Sequence, residues 1–131
     1  MATLMPLFSS KEFVSHSGIK LPFKIDCSFL SDDDIHCLAE IIKNKIQYHY
    51  VYGVPEGGTR LSVVLQNYVS DDGPVLIVDD VLTTGKSMHD AKDHLERAQK
   101  IDKRGAIGVV IFARGKCPHW IIPMFQSYNF I

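Results

Sequence analysis

Cysteine is scarce in this chain of 131 residues, which contains only three: Cys27, Cys37 and Cys117. An odd number cannot pair completely within one molecule. The three form no C-x-x-C motif and do not cluster with histidines at the spacing of a zinc site. This pattern argues against a disulfide scaffold and against a zinc module. It favours reduced thiols in a cytoplasmic protein.

Long apolar runs and an excess of one charge are also missing. No stretch approaches the roughly 20 apolar residues that a membrane helix needs, and the amino end lacks the charged-then-apolar pattern of a signal segment. The formal net charge is −1, with lysine and arginine spread along the chain. Since nucleic-acid binding usually requires a basic patch, we expect neither nucleic acid nor a membrane as a partner.

Repeats, low-complexity segments and flexible linkers are absent as well. The hydrophobic fraction of 46% over 131 residues is sufficient for a core. Both values fit one compact domain, and we predict a single domain over residues 1–131.

Predicted helices alternate with predicted strands along the chain. Ser31 followed by acidic residues is a helix-start pattern, and Ile35, Leu38 and Ile42 continue it at helical spacing. Further helices are predicted over residues 59–66 and from Met88 to about residue 101. Strands are predicted over residues 48–54, 75–78, 106–113 and 120–125, the last confined to an edge or interrupted by Pro123. The alternation predicts an α/β fold with a central, mostly parallel sheet flanked by helices.

The most informative segment is the run over residues 75–87, VLIVDDVLTTGKS. It begins as a buried strand and continues with Asp79 and Asp80, which we expect at the solvated mouth of the strand, where they accept hydrogen bonds from a diol or approach Mg²⁺. Hydroxyl groups, a glycine and a helix start follow, a combination that favours a phosphate. The segment therefore predicts a phosphorylated ribose as ligand.

A nucleotide-binding P-loop is the competing interpretation of the same run. Gly85, Lys86 and Ser87 match the second half of G-x-x-x-x-G-K-[ST]. The first glycine of that motif, however, falls on Asp80, whose carboxylate would oppose the nucleotide phosphates. The sequence thus disfavours a P-loop.

A second glycine-rich segment covers residues 52–61, YGVPEGGTRL. It follows the β-prone Tyr50-Val51-Tyr52, and Gly53, Gly57 and Gly58 permit close backbone approach. Taken alone, a plain strand-to-helix turn explains it nearly as well as an anion site. Beside the acidic run, a pyrophosphate site is the better interpretation.

Together these segments resemble the type I phosphoribosyltransferases, most closely the orotate phosphoribosyltransferases. Residues 75–87 resemble the phosphoribosyl-pyrophosphate signature, residues 52–61 the pyrophosphate loop, and residues 12–23, EFVSHSGIKLPF, the amino-terminal segment of that family. The matches occur in the family's order, from Phe13 to Arg114. The resemblance implies a phosphoribosyltransferase-like fold with a base-proximal segment over residues 1–30 and a core over residues 31–131.

The resemblance also implies a role for each matching residue. Asp79 and Asp80 correspond to the catalytic pair that holds the ribose hydroxyls, and Thr83, Thr84, Gly85, Lys86 and Ser87 to the 5′-phosphate loop. Glu56, Gly57 and Gly58 correspond to pyrophosphate contacts, and Lys20 and Arg114 to base contacts. Mg²⁺ is implied as the cofactor, held mainly through the ligand and water, with Asp79 and Asp80 as the candidate protein contacts.

The implied activity is transfer of ribose 5-phosphate from phosphoribosyl pyrophosphate to a nitrogenous base, with orotate favoured and a nucleoside monophosphate as product. A homodimer is expected, since short members of the family usually associate. Two alternatives stay open: a transferase for another base, and a non-catalytic module that binds phosphoribosyl pyrophosphate or a nucleotide.

Two departures from the family bear on these alternatives. The family normally inserts a strand and a long loop with basic catalytic residues before the acidic strand, whereas residues 67–74, NYVSDDGP, contain no Lys, Arg or His. His16 also replaces a lysine that is common in the amino-terminal segment, so a fixed positive charge becomes titratable. The first departure predicts a slow transferase, a transferase whose loop comes from another chain, or a ligand-binding module without efficient chemistry.

The other aromatic and histidine residues of interest are predicted to have structural roles. Trp120 and Phe125 could stack on a base or seal a dimer, but burial in the core is the default for such residues. His89 and His94 lie five residues apart, which does not place them on one helix face, so solvated or capping histidines are expected rather than a metal site.

Overall fold

The computed structural model of the protein describes residues 8–9, 13–14, 20–21 and 24–127. The first elements are four two-residue strands that form two small antiparallel sheets. These strands are β1 (Phe8–Ser9), which pairs with β4 (Lys24–Ile25), and β2 (Phe13–Val14), which pairs with β3 (Lys20–Leu21). His16 lies outside the described residues.

A four-stranded parallel sheet forms the centre of the structure. Its strands are β5 (Tyr50–Gly53), β6 (Val75–Leu82), β7 (Ala106–Arg114) and β8 (Ile121–Ser127), in the order β5-β6-β7-β8. Every neighbouring pair runs parallel. The predicted α/β class and parallel sheet are therefore confirmed.

Three helices pack on the two faces of this sheet. They are α1 (Asp32–Lys45), α2 (Thr59–Leu65), which continues into a 3-10 turn (Gln66–Tyr68), and α3 (Lys86–Arg97). The start of α1 is a capping box, in which Asp34 N donates to Ser31 Oγ at 3.0 Å and Ser31 N donates to the Asp34 carboxylate at 2.8 Å. The predicted start of this helix is thereby confirmed.

The hydrophobic core is divided between the two faces. On one face, α1 and α2 contribute side chains that include Leu38 and Leu61. These pack against alternate residues of the sheet, among them Leu76 and Val109. On the other face, α3 contributes Met88, Ala91 and Leu95, which pack against residues that include Ile77 and Val110. Within the described residues, no helix has the length and apolar character needed to cross a membrane.

All four strands of the central sheet differ from the predicted ranges in at least one limit. Tyr48 precedes β5, and its buried hydroxyl donates to Leu65 O at 2.7 Å, which ties the start of the strand to α2. Strand β6 continues to Leu82 because its pairing with β7 persists to that residue. The prediction that β6 ends at Val78 is therefore wrong.

The last strand lies at an edge of the described sheet and passes through Pro123 without a break. Gly108 N donates to Trp120 O at 2.8 Å. Backbone N–H groups point to alternate sides along a strand, and this bond fixes which residues of β8 face β7. The nitrogen of Pro123 faces away from β7, on the side where no hydrogen bond to β7 is needed. The prediction of an edge strand is confirmed, although the strand begins after Trp120.

The connection from α2 to β6, residues 69–74, lies at the edge of the sheet where the strands begin. Ser70 N donates to Tyr48 O at 2.9 Å, and the Arg104 guanidinium donates to Asp71 O at 3.1 Å. His49 Nδ1 donates to Gly73 O at 2.6 Å, which assigns the proton to that nitrogen because a carbonyl only accepts. This short segment is thus fixed at the end of the sheet where the strands begin, opposite the end that carries Asp79 and Asp80.

Candidate functional site

Asp79 and Asp80 lie in β6 just beyond the point where β5 ends. The last pair of the β5–β6 ladder joins Gly53 to Val78, so the two acidic residues are flanked by β7 on one side only. Asp80 N donates to Asp79 Oδ1 at 2.8 Å, and Val81 N donates to Asp80 Oδ1 at 2.7 Å. These bonds fix the direction of both carboxyl groups.

The two acidic side chains differ in exposure. Asp79 is 7% exposed, whereas Asp80 is half-buried. Burial, followed by the hydrogen bond and the negative charge of Asp80, raises the pKa of Asp79 to about 8. Asp79 is therefore largely protonated at neutral pH in the absence of ligand. The expectation that both carboxylates lie solvated at the strand's mouth is wrong for Asp79.

The loop after β5 lies against the acidic pair. Val54 N donates to Val78 O at 2.8 Å, which continues the line of β5 for one residue. A Cβ added to Gly57 would fall on the Asp80 carboxylate, and one added to Gly58 would fall on Val78 O. Only glycine fits at these two positions. The loop predicted to hold pyrophosphate is thus in contact with a residue predicted to hold the ribose.

Glu56 is exposed in the same loop, and the peptide that joins it to Pro55 is cis. Its carboxylate is available to solvent or to a hydrated cation. The structure therefore brings the Glu56–Gly58 segment and the acidic pair together at one edge of the sheet.

The loop from β6 to α3 follows directly and surrounds a shallow pocket of about 220 Å³, a volume that includes space open to solvent. The pocket is lined by Asp79, Val81, Leu82, Thr83, Thr84, Gly85, Lys86, Ser87 and Met88. Gly85 has φ +84°, a left-handed conformation, and α3 begins at the next residue. Lys86 N donates to Thr84 Oγ1 at 3.3 Å. All five residues predicted to bind the 5′-phosphate therefore line one pocket together with Asp79.

The side chain of Lys86 does not point over this loop. Its Nζ lies 2.6 Å from Asp90 Oδ2, one turn along α3, and the hydrogen bond to that carboxylate raises the pKa of Lys86. The side chain is 79% exposed. Lys86 thus contributes its backbone N–H to the loop, and its ammonium group is held on the outer surface of the helix.

Arg114 and Lys20, the predicted base contacts, are described to different extents. Arg114 is the last residue of β7, next to Ala113, which pairs with Leu82 immediately before the phosphate loop. Its side chain is partly buried, and burial lowers its pKa. Lys20 lies in β3, and its side chain is outside the described residues. The structure brings Arg114 to the same end of the sheet as the acidic pair.

One neighbour of the acidic pair was not predicted. Burial, followed by the negative charges of Asp80, Asp26 and Asp79, raises the pKa of Cys27 to about 12. The thiol therefore stays protonated close to the carboxyl groups. No sequence pattern links Cys27 to residues more than fifty positions away, so only the fold reveals this contact.

Metal binding by protein groups alone is weakly supported. Within residues 26–127, no group of three or more His, Cys, Asp and Glu side chains is arranged to hold a metal ion. The half-buried Asp80 fits a hydrated Mg²⁺ that takes most of its oxygen ligands from substrate and water. The donor set is thus compatible with Mg²⁺ brought in with a phosphorylated ligand.

Comparison with known proteins gives matches in structure only. No family model matches the chain, and no curated protein matches it significantly. Among solved structures, orotate phosphoribosyltransferase from Aeropyrum pernix superposes with a TM-score of 0.73 at 20% identity, over 93% of this chain and 89% of the other.

Two further structures are similar over the same share of the chain. UMP synthase from Leishmania donovani gives a TM-score of 0.71 at 15% identity, and this chain covers 34% of it. Orotate phosphoribosyltransferase from Mycobacterium tuberculosis, in complex with phosphoribosyl diphosphate, gives 0.63 at 15% identity, over 90% of that chain. At these identities the likeness shows the fold, so the chain has the fold of the type I phosphoribosyltransferases.

Proposed function

We propose that the protein binds phosphoribosyl pyrophosphate with Mg²⁺ and transfers its ribose 5-phosphate to a nitrogenous base, with orotate as the favoured base. The observation that carries this proposal is the contact between the Gly57 backbone and the Asp80 carboxylate. That contact joins the proposed pyrophosphate loop to the proposed ribose site, and the phosphate loop begins three residues after Asp80.

The acidic pair would hold the ribose through its two hydroxyl groups. The Asp80 carboxylate accepts a hydrogen bond from one hydroxyl, and Asp79 lies beside it with its Oδ1 fixed by the Asp80 N–H. In the reaction, the bond from C1 of the ribose to a pyrophosphate oxygen breaks and a bond from C1 to a base nitrogen forms. The sugar carries positive charge at the transition state, which the nearby Asp80 carboxylate stabilises.

The two phosphate groups of the ligand would occupy different loops. The 5′-phosphate fits at the start of α3, where first-turn N–H groups have no partner within the helix and the helix dipole favours an anion. Pyrophosphate fits the Glu56–Gly58 loop at the exposed Gly57, which allows close approach to the backbone, whereas Gly58 N already donates to Val54 O at 2.7 Å. Bound Mg²⁺ would supply positive charge to the leaving pyrophosphate.

Orotate is the favoured base because its carboxylate matches an arginine. Arg114 ends β7 at the edge where the ribose would sit, and a guanidinium binds a carboxylate through two parallel hydrogen bonds. Lys20 belongs to the same proposal on sequence grounds. We expect Arg114→Ala to weaken use of orotate and to leave binding of phosphoribosyl pyrophosphate nearly intact; an equal loss of both would assign a structural role to Arg114.

A non-catalytic binding module is the second candidate, and the connection from α2 to β6 favours it. The connection over residues 69–74 is short and lacks Lys, Arg and His. It is fixed at the end of the sheet opposite the acidic pair. This segment cannot place cations on a leaving pyrophosphate. Such a module would keep the ribose and phosphate contacts without efficient turnover.

One calorimetric experiment separates the two candidates. Phosphoribosyl pyrophosphate is titrated into the protein with Mg²⁺, orotate and other bases are then added, and pyrophosphate release is followed. Binding with release on addition of orotate supports the transferase, and release with another base only corrects the acceptor. Binding without release for any base supports the module, whereas no binding contradicts both.

The matched variants test the acidic site. Changing Asp79 and Asp80 together to Asn should weaken binding of phosphoribosyl pyrophosphate about tenfold or more, since hydrogen bonds to charged groups are lost. The control changes Asp71 and Asp72 to Asn, because this exposed acidic pair lies at the other edge of the sheet. Unchanged affinity in the first variant, or equal losses in both, would refute the assignment.

A further inference from the structure

His89 lies one turn into α3, and its imidazole ring is beside the predicted phosphate loop. A Cβ added to Gly85 would lie 3.6 Å from Cδ2 and 3.9 Å from Nε2 of His89. Helical side chains lean toward the amino end of their helix, which explains why this ring lies over the turn before its own Cα. Because position 85 carries no side chain, the Cδ2–Nε2 edge of the ring lies against Gly85, just outside the residues that line the pocket.

Trp120 holds this ring from the other side. The His89 and Trp120 ring centroids are 5.6 Å apart with an interplanar angle of 61°, an edge-on contact. The indole is itself fixed on the sheet, since a Cβ added to Gly108 would lie 2.9 Å from its Cζ3 atom. His89 is therefore restrained between a loop and a packed aromatic ring, although it is exposed to solvent.

The charges around His89 are of both signs, since Lys92 and Asp93 lie about one turn further along α3 and Asp90 is the next residue. Lys92 Nζ lies 4.7 Å from the Trp120 centroid, on the next turn of α3. Asp90, the neighbouring acidic residue, is paired with Lys86. Within residues 26–127, the ring nitrogens of His89 have no hydrogen-bond or ion-pair partner, so an N–H is available for a ligand.

On the basis of the proposed function, we propose that His89 donates a hydrogen bond to the 5′-phosphate of the bound ligand and that Trp120 positions the imidazole for this contact. The pyrophosphate end of the ligand lies in the loop after β5 and does not involve His89. The residue pair thus favours phosphorylated ribose over ribose without affecting the recognition of pyrophosphate.

The test compares binding of ribose 5-phosphate, phosphoribosyl pyrophosphate and inorganic pyrophosphate by calorimetry. In His89→Phe, which keeps an aromatic ring against Trp120, affinity for the first two ligands should fall about tenfold, the size of one hydrogen bond to a charged group. Affinity for pyrophosphate should not change. His89→Gln should recover most of the loss, since its amide nitrogen reaches nearly the position of Nε2.

The control variant is His94→Phe. His94 is an exposed histidine of the same helix, and its ring lies 6.3 Å from that of Tyr52 instead of near the loop. Binding of all three ligands should be unchanged in this variant. A loss equal to that of His89→Phe would contradict the proposal.

The role of Trp120 is tested by a double-mutant cycle. Trp120→Leu should weaken ribose 5-phosphate binding, and adding His89→Phe should cause little further loss, because both changes remove the same contact. If thermal melting shows that Trp120→Leu is unfolded, Trp120→Phe takes its place in the cycle. Additive losses would overturn the positioning role.

The outcomes also distinguish this inference from the function on which it rests. If the wild-type protein binds ribose 5-phosphate and His89→Phe binds it equally well, the inference about His89 is wrong and the proposed function stands. A loss of pyrophosphate binding that matches the loss of ribose 5-phosphate binding would also overturn it. If the wild-type protein binds none of the phosphoribosyl ligands, both proposals are wrong.

Discussion

Asp79 is a carboxyl group that the fold keeps protonated over much of the ordinary pH range. Its raised pKa, about 8, arises mainly from burial. An unfolded chain would hold this group near its ordinary pKa of 3.8. Between these two values the native state binds one more proton than the unfolded state, so the contribution of Asp79 to stability is lost as the pH rises.

We expect Asp79→Asn to remove this pH dependence. Asparagine keeps the oxygen that accepts from Asp80 N and carries no charge. The free energy of unfolding of the wild type, relative to the variant, should fall by up to about 1.4 kcal/mol for each pH unit between pH 4 and pH 8. Urea unfolding at several pH values measures this difference. The exposed Asp93→Asn serves as control, and a difference that does not change with pH would contradict the prediction.

The start of α3 depends on a backbone conformation that favours glycine. Gly85 has φ +84°, and this conformation turns the chain from the end of β6 into the first turn of the helix. The first-turn N–H groups thereby face the pocket that contains Thr83 and Thr84. The geometry of the phosphate loop is thus set by the junction between two elements.

Gly85→Ala should therefore weaken binding of ribose 5-phosphate and also destabilise the fold by about 1 kcal/mol. Gly105→Ala is the matched control, since Gly105 also has a positive φ, +79°, but lies in the connection before β7. Thermal unfolding should show a similar cost for both variants, and calorimetry should show a loss of affinity for the first only. Equal affinities would mean that the loop backbone does not hold the phosphate.

Sequence patterns predicted helix starts better than strand ends. The capping residues of α1 and the apolar spacing of α3 depend on local chemistry, and both helices form, although α3 ends at Arg97 and not near residue 101 as predicted. The end of β6 depends on how far β7 continues beside it, a long-range contact that no local pattern contains. For the same reason the sequence did not indicate the burial of Asp79 or the nearness of Cys27.

Side-chain directions at the candidate site were also beyond the sequence. Lys86 was expected to face a phosphate because it lies in the loop motif. Its ammonium group is instead hydrogen-bonded to the Asp90 carboxylate at the i+4 position. His89 was expected to be a solvated or capping histidine, because its contact with Trp120 joins positions far apart in the chain.

The two ends of the parallel strands differ in their predicted roles. Residues predicted to bind ligand lie where the strands end, and the short connections held by Arg104 and His49 lie where they begin. At one side of the sheet, β8 exposes Ile122 and Phe125, which are 46% and 56% exposed, so the predicted burial of Phe125 is wrong. Apolar side chains of this size on an edge strand fit the predicted homodimer.

Sedimentation velocity tests that dimer. We expect the wild type to sediment as a dimer and Phe125→Lys to shift the population toward monomer, since a charge replaces an apolar contact. Val63→Lys is the control, because Val63 is 65% exposed on α2, away from β8. A monomeric wild type would show that the homodimer prediction is wrong, and an equal effect of both variants would exclude β8 as the contact.

The anchored connection at residues 69–74 also limits how a bound ligand could be covered. A segment that leaves the sheet where β6 begins must travel the length of that strand, about 26 Å for eight residues. It must also return, whereas six residues span at most about 20 Å when fully stretched. Closure must therefore come from another part of the chain or from a second molecule. The release rate of the ligand, compared between dilute and concentrated protein, would reveal which of the two supplies it.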